Sequence, residues 1–214
     1  MSNYIPTVFV VDDDSAMREA LTSLVRSVGL NVQAFASAHE FLDNPRQDDV
    51  PSCLVLDVRM PEVSGLDLQR ELRLAGEMIP IVFITGHADV PTTVRAMKAG
   101  AIEFLPKPFR EQDLLDGIRL ALERSTVDRD ERNELERIRT RTARLTRRER
   151  QVMTFLLTGL LNKQVAAQLG ISEITVKIHR RRIMEKTMAS SLVELATMME
   201  KLRSSDAADI GNSV

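Results

Sequence analysis

Over the first 124 residues, short apolar runs alternate with segments of helical period. The runs Thr7–Val11, Asn31–Phe35, Cys53–Leu56, Ile79–Ile84 and Ile102–Leu105 are rich in β-branched residues and read as buried parallel strands. The segments Ser15–Val28, Ala38–Leu42, Gly65–Leu74, Val90–Ala99 and Glu111–Leu122 read as helices. Ser37 with Glu40 forms a capping box, and Asp89 can cap the helix that Gly100 ends. Five β-α units in this order predict an α/β fold, a doubly wound five-stranded parallel sheet with helices on both faces. In such a sheet the functional site forms at the C-terminal ends of the strands.

The pattern changes near residue 123. More than half of residues 123–150 are charged. Leu135, Ile138 and Leu145 keep the helical phase of Ile118 and Ala121, but Ser125, Asp128 and Arg132 interrupt it, so no coiled-coil seam is supported. The reading is a first domain over 1–124 and a charged, helical linker over 125–144 that extends the fifth helix. Residues 145–203 hold short helices only and form an all-α domain. Thr146 with Glu149 is a second capping box, opening a helix that Gly159 closes. Asn162–Leu169, a turn at Gly170 and Glu173–Lys186 follow, and Ser191 with Glu194 caps the last helix. Two short helices around a glycine turn are the helix-turn-helix pattern. Val165, Ala166, Leu169, Ile171, Ile174, Val176 and Ile183 are expected to pack inward. Residues 204–214 are small and polar, and are expected to be disordered.

Composition and charge sharpen this picture. Aromatic residues are only 4% and tryptophan is absent, so the cores must be aliphatic. No window is apolar for the length a membrane span needs, and the start lacks the basic region and cleavage site of a signal peptide. The single cysteine, Cys53, lies in an apolar run and reads as a buried small residue; a chain without a disulfide framework suits the cytoplasm. The overall net charge of −2 conceals an asymmetry. Residues 1–124 carry 12 lysines and arginines against 19 acidic residues, a net of −7, and residues 141–203 carry 13 against 5, a net of +8. A basic second half points to a polyanionic partner.

The candidate chemistry lies just past the strands. Asp12, Asp13 and Asp14 follow the first, Asp57 the third, Thr85 the fourth and Lys107 the fifth. With the first, third and fourth strands central, these ends converge into a pocket of carboxylates, a hydroxyl and an ammonium. Such a set suits phosphoryl transfer to a carboxylate, which attacks phosphorus to form an acyl phosphate. Clustered carboxylates repel one another, and a hard divalent cation with oxygen ligands relieves that repulsion.

The segments VFVVDDDSAMREAL, CLVLDVRMPEVSGLDL, IVFITGHADVPTTVRAMKAGA and EFLPKPF resemble the four signature segments of receiver domains, in order and over about 120 residues. The resemblance implies Asp57 as phosphoacceptor. It implies Mg²⁺ (or Mn²⁺) held by Asp12, Asp13, Asp57 and the backbone carbonyl of Arg59, with Asp14 outside the ligand set. Thr85 and Lys107 match the family's catalytic hydroxyl and lysine, Thr85 and Phe104 its switch pair, and Lys107–Pro108 its usual cis bond. His87 and Arg59 match positions that tune aspartyl-phosphate hydrolysis; an exposed loop histidine is an equal reading for His87, and His39 reads as a helix-surface residue. Phosphatases of the haloacid dehalogenase type also use a strand-end aspartate, but need a second acid two residues on, where this chain has Arg59.

The second half carries a parallel resemblance. LTRRERQVMTFLLTGLLNKQVAAQLGISEITVKIHRRRIMEK is similar to the DNA-binding domain of NarL/FixJ-type (LuxR-like) regulators, and with the receiver the chain resembles the FixJ-like subgroup. Its second helix carries Thr175, Lys177, His179, Arg180, Arg181 and Arg182 on the polar side. The match implies Lys177, Ile178 and Arg181 at bases or the groove floor, and Thr175, Arg180, Arg182, Asn162 and Lys163 holding phosphates or positioning the helix. Three positions depart from the family: Arg147 replaces a common proline, and Thr187 and Ser190 stand where an apolar and a basic residue are usual.

The expectation is a two-component response regulator that is not an enzyme beyond self-phosphorylation and slow dephosphorylation of Asp57. Its partners are a sensor histidine kinase, double-stranded promoter DNA, RNA polymerase and a second copy of the chain on phosphorylation, with no membrane. Activation of transcription is the expected output. A phosphorylation-independent DNA-binding protein and a phosphate-sink receiver stand as alternatives.

Overall fold

The computed structural model describes residues 5–44, 50–87 and 89–211, with side chains to residue 207. The chain divides into two compact units between Arg129 and Asp130. The first unit is built from β1 (Thr7–Val11), α1 (Ser15–Ser27), β2 (Asn31–Phe35), α2 (Ala38–Leu42), β3 (Ser52–Asp57), α3 (Gly65–Leu74), β4 (Ile81–Thr85), α4 (Val90–Lys98) and β5 (Glu103–Pro106). α5 (Glu111–Ala143) runs past the division between the units. The strands form one parallel sheet in the order β2-β1-β3-β4-β5. This is the doubly wound α/β arrangement expected from the alternation, with a topological switch beside β1.

Strand alternation sorts the core into two layers. Phe9, Val11, Leu54, Leu56 and Phe83 point to one face, where Phe41, Leu68, Leu72 and Ala96 of α2, α3 and α4 cover them. Val8, Val10, Cys53, Val55, Val82 and Ile84 point to the other, under Leu21 and Val25 of α1 and Leu114, Ile118 and Ala121 of α5. Cys53 is fully buried, and burial pushes its thiol well above the ordinary range. β4 starts two residues later than its apolar run: Ile81 is the first residue paired, opposite Leu54, while the Pro80 carbonyl accepts the Leu54 amide at 2.9 Å. Ser125, which interrupts the apolar phase of α5, is buried and its hydroxyl accepts the first amide of β3, Ser52 N, at 3.0 Å.

In the second unit, α6 (Arg147–Leu157), α7 (Asn162–Leu169), α8 (Glu173–Thr187) and α9 (Leu192–Gly211) surround Val152, Leu156, Val165, Val176, Ile183 and Leu195. The Thr146–Glu149 capping box is present, and Gly170 makes the turn at φ 64°, a left-handed conformation that favours glycine. The course of α5 and α9 differs from the sequence reading. Ile138, expected on a solvated linker, is fully buried in this second core together with Leu145. Helix α9 continues to Gly211, so 204–211 is helical and only 212–214 lie outside the described residues. Alanine is a strong helix former, and Arg139 holds Asp206 at 2.8 Å. Among the described residues no helix is long and apolar enough to cross a membrane.

Candidate functional site

Four strand ends supply the acidic pocket. Asp12 directly follows β1, Asp57 closes β3, Thr85 closes β4 and Lys107 follows β5. The parallel register keeps them level, with Val11 beside Leu56, Asp57 beside Ile84 and Thr85 beside Pro106. Asp12 and Asp57 are buried and Asp13 is exposed, yet one carboxylate oxygen of each lies within 4.8 Å of the others. The Lys107 ammonium donates to Asp12 Oδ2 and to Asp57 Oδ2, both at 2.7 Å. Asp57 Oδ1 accepts the Arg59 amide at 3.0 Å, and Asp12 Oδ1 accepts the Asp14 amide at 2.9 Å. The Asp12 and Asp57 carboxylates are therefore aimed by the backbone of their own strand-end loops.

Burial raises the Asp12 carboxyl above the usual carboxylate range, and bonds from Lys107 and the Asp14 amide offset only part of this. Burial acts on Lys107 in the direction of proton loss, but its bonds to Asp12 and Asp57 outweigh it and hold the ammonium above the ordinary lysine value. Asp14 is committed to capping α1, where it accepts the amides of Ala16 at 2.9 Å and Met17 at 3.4 Å. Thr85 is buried and its hydroxyl donates to the His87 carbonyl at 3.3 Å and accepts the His87 amide at 3.2 Å. The His87 side chain is exposed, and His39 lies 3.7 Å from Glu62 at the surface. Phe104 is buried, its ring centred 6.1 Å from that of Phe83, and the Lys107–Pro108 bond is cis. Sequence reasoning missed Arg18, whose guanidinium donates to the Asp12 carbonyl at 2.7 Å. Its only signal was its place one turn after Asp14.

The donor set fits a hard divalent cation. Its ligand atoms are all carboxylate oxygens, two buried and one open to solvent, at a separation a single ion can bridge.

The basic helix forms the second candidate site. Lys177, Arg181 and Arg182 are exposed, as is Lys163 on α7. Arg180 and Asn162 are half-buried, and Thr175 is turned toward the N-cap, its hydroxyl 2.8 Å from that of Ser172. Two exposed ion pairs, Glu173–Lys177 at 3.4 Å and Arg181–Glu185 at 2.8 Å, run along the helix. Ile178 is 47% exposed. Ile174 corrects the sequence reading: expected inward, it is 70% exposed. Two residues on a helix are about 200° apart, so a helix that buries Val176 turns Ile174 away from the core. The departure at Thr187 is accommodated internally; its buried hydroxyl donates to the Ile183 carbonyl at 2.8 Å.

An acidic pocket at the strand ends of a doubly wound sheet, followed by a basic helix-turn-helix, defines a receiver joined to a DNA-binding unit. The sequence pattern of the response regulator receiver domain matches residues 8–119, and that of the luxR family of bacterial regulatory proteins matches residues 143–199. The chain belongs to the two-component response regulators of the NarL/FixJ type, whose task is transcription regulation. It is 48% identical over 205 residues to the response regulator protein TodT of Pseudomonas putida, covering 96% of this chain and 90% of TodT. It is 54% identical over 195 residues to nodulation protein W of Bradyrhizobium diazoefficiens, covering 91% of this chain and 86% of that protein. Among solved structures, the response regulator StyR matches with a TM-score of 0.84 and 50% identity, over 92% of this chain and all of StyR (100%).

Proposed function

We propose that Asp57 accepts a phosphoryl group from the phosphohistidine of a sensor kinase in the cytoplasm, and that this switches DNA binding by α8. The observation that carries the proposal is the Lys107 ammonium touching both Asp12 and Asp57 in a pocket with a third carboxylate. An Asp57 oxygen attacks phosphorus, the phosphorus–nitrogen bond breaks, and the histidine leaves as a neutral imidazole. Asp12, Asp13, Asp57 and the Arg59 carbonyl are the residues to hold Mg²⁺, which supplies positive charge to the transferring oxygens. Lys107, bonded to Asp12 and Asp57, supplies a second cation. Attack by water on the same phosphorus gives the slow loss of the signal. The residues act on one phosphoryl group on their own chain, so the protein is a switch and not an enzyme with turnover of an external substrate.

Output follows from Thr85. Its hydroxyl is held by His87, at the start of the β4–α4 loop, and a phosphoryl group on Asp57 offers it a charged acceptor. Movement of Thr85 toward that group, with Phe104, repositions α4 and β5 and shifts a two-state equilibrium. Val90, Val94 and Met97 form an exposed apolar strip on α4, which supports pairing of phosphorylated receivers through the α4-β5-α5 face. Two α8 helices then engage a two-fold pair of half-sites, and RNA polymerase is the partner for activation. The proposed base contacts are Lys177, Ile178 and Arg181; Thr175, Arg180, Arg182, Asn162 and Lys163 are proposed for phosphates and helix positioning.

The test is DNA binding by wild type and Asp57→Ala, each with and without a small phosphodonor and Mg²⁺, on the upstream region of its own gene or on selected random duplexes. Tightening in wild type alone, with dimer appearing in parallel, supports the switch. Equal binding by both proteins in all conditions gives way to a phosphorylation-independent regulator, and no DNA binding in either state to a phosphate sink.

A further inference from the structure

We infer that Ile174 reads DNA, and that the group it selects is the C5-methyl of thymine in the major groove. The inference rests on the proposed docking of α8 and adds a residue and a ligand chemistry to it. Ile174 is 70% exposed and Ile178, one turn on, is 47% exposed. At about 100° per residue, Ile174, Ile178 and Arg181 lie within about 60° of arc on one face of α8. Lys177 borders that arc. Its ammonium and the Arg181 guanidinium are each engaged with a glutamate one turn away, Glu173 and Glu185. Beside these two engaged cations the same face presents Ile174 and Ile178, which are apolar and exposed.

Single exposed aliphatic residues are ordinary on protein surfaces. Two adjacent ones on a helix with five lysines and arginines are not, because they break an otherwise polar face. Charge selects the occupant. Lys177, Arg180, Arg181, Arg182 and Lys186 outnumber Glu173 and Glu185, so a partner apolar along its whole surface would strand these cations. Duplex DNA combines phosphates at the groove edges with one apolar group on its floor, the thymine methyl. Position supports the same choice. Ile174 follows N-cap Ser172 by two residues, and the N-terminal residues of a recognition helix meet base edges first. The exposed Lys177 and Arg181 pairs hold weakly, so both cations can exchange glutamate for DNA.

The experiment uses the full chain treated with phosphodonor and Mg²⁺, and duplexes it selects from a random library. Each thymine is replaced in turn by deoxyuridine, which removes only the methyl. Wild type is expected to lose about 3- to 5-fold in affinity at one thymine per half-site, the equivalent of one buried methyl. Ile174→Ala is expected to bind the thymine duplex about as weakly as wild type binds the deoxyuridine one, and to be indifferent to the replacement. Ile174→Val, which keeps a branched apolar side chain, is expected to retain the discrimination. Equal sensitivity to deoxyuridine in wild type and Ile174→Ala, with selective binding intact, overturns the inference and leaves the DNA-binding reading standing. Failure of wild type to select any duplex overturns both.

Discussion

Gly65, the first residue of α3, packs directly against the backbone of Asp57: a methyl group at its Cβ position would stand 2.2 Å from the Asp57 carbonyl oxygen. The Gly65 amide also donates to the Val58 carbonyl at 3.0 Å, so the start of α3 and the end of β3 are held together. This approach brings the start of α3 against the backbone of the proposed phosphoacceptor.

Gly65→Ala is therefore expected to displace the end of β3. The overlap is with backbone, which cannot rotate away, and overpacking of this kind costs about 1–3 kcal/mol. A lowered thermal midpoint by circular dichroism and slower labelling of Asp57 by a small phosphodonor are expected together. Unchanged labelling would show that the loop absorbs the methyl.

Lys107 touches two of the three carboxylates that form the candidate metal site. A fixed cation at such range repels a divalent ion, and even at protein-surface screening a unit charge about 4 Å away counts for kilocalories. Lys107→Gln is expected to tighten Mg²⁺ binding about tenfold in calorimetric titration while slowing Asp57 phosphorylation about 100-fold, the loss typical of one removed charge-stabilising donor. Weaker Mg²⁺ binding would mean that Lys107 organises the carboxylates more than it competes with the ion.

Glu149 ties the start of α6 to the end of α8. It is 2% exposed, accepts Lys186 Nζ at 2.7 Å and accepts the Thr146 amide at 2.8 Å. Burial acts to raise its carboxyl, but the Lys186 ammonium and Thr146 outweigh that and hold it below the usual glutamate range. A depressed folded value means that the stabilisation is fully present above the ordinary carboxylate range and is lost as pH falls through the depressed value. Glu149→Gln is expected to lower the stability of the second unit by about 1–3 kcal/mol at neutral pH. Amide exchange over 145–187 between about pH 7 and pH 3 reads this, and the gap between wild type and Glu149→Gln should close in acid. A gap independent of pH would assign the effect to packing.

Ile138 belongs to the second core although it lies on α5. Ile138→Ala is expected to destabilise the second unit by about 2–5 kcal/mol, the usual loss for a fully buried isoleucine. A fragment starting at residue 145 is expected to melt lower than one starting at residue 130. Equal melting of the two fragments would return 130–144 to the status of a linker.

Strand and helix boundaries were legible because their signals are local. Ser37, Asp89 and Thr146 cap the helices that follow them, as their positions indicate, and four of the five strands lie within one residue of their apolar runs. β4 was the exception: its run begins at Ile79, but Pro80 has no amide to donate and pairing starts at Ile81. The membership of the acidic pocket was also readable, since a doubly wound sheet places strand ends together whatever its side chains do.

What the sequence determined by itself was this local grammar: which residues cap, which runs are strands, and which acids follow them. Tertiary structure decided what depends on distance in space. Arg18 at the Asp12 carbonyl and Ser125 at the Ser52 amide join residues six and 73 positions apart, and no periodicity records such pairs. Ile174 and Ile138 show the same limit in opposite directions. Each is an isoleucine at helical spacing, and only the packing around α8 and α5 decides that the first faces solvent and the second is sealed in a core. Hydrophobicity gives a residue its tendency to be buried, while burial itself is settled by the neighbours that the fold assembles.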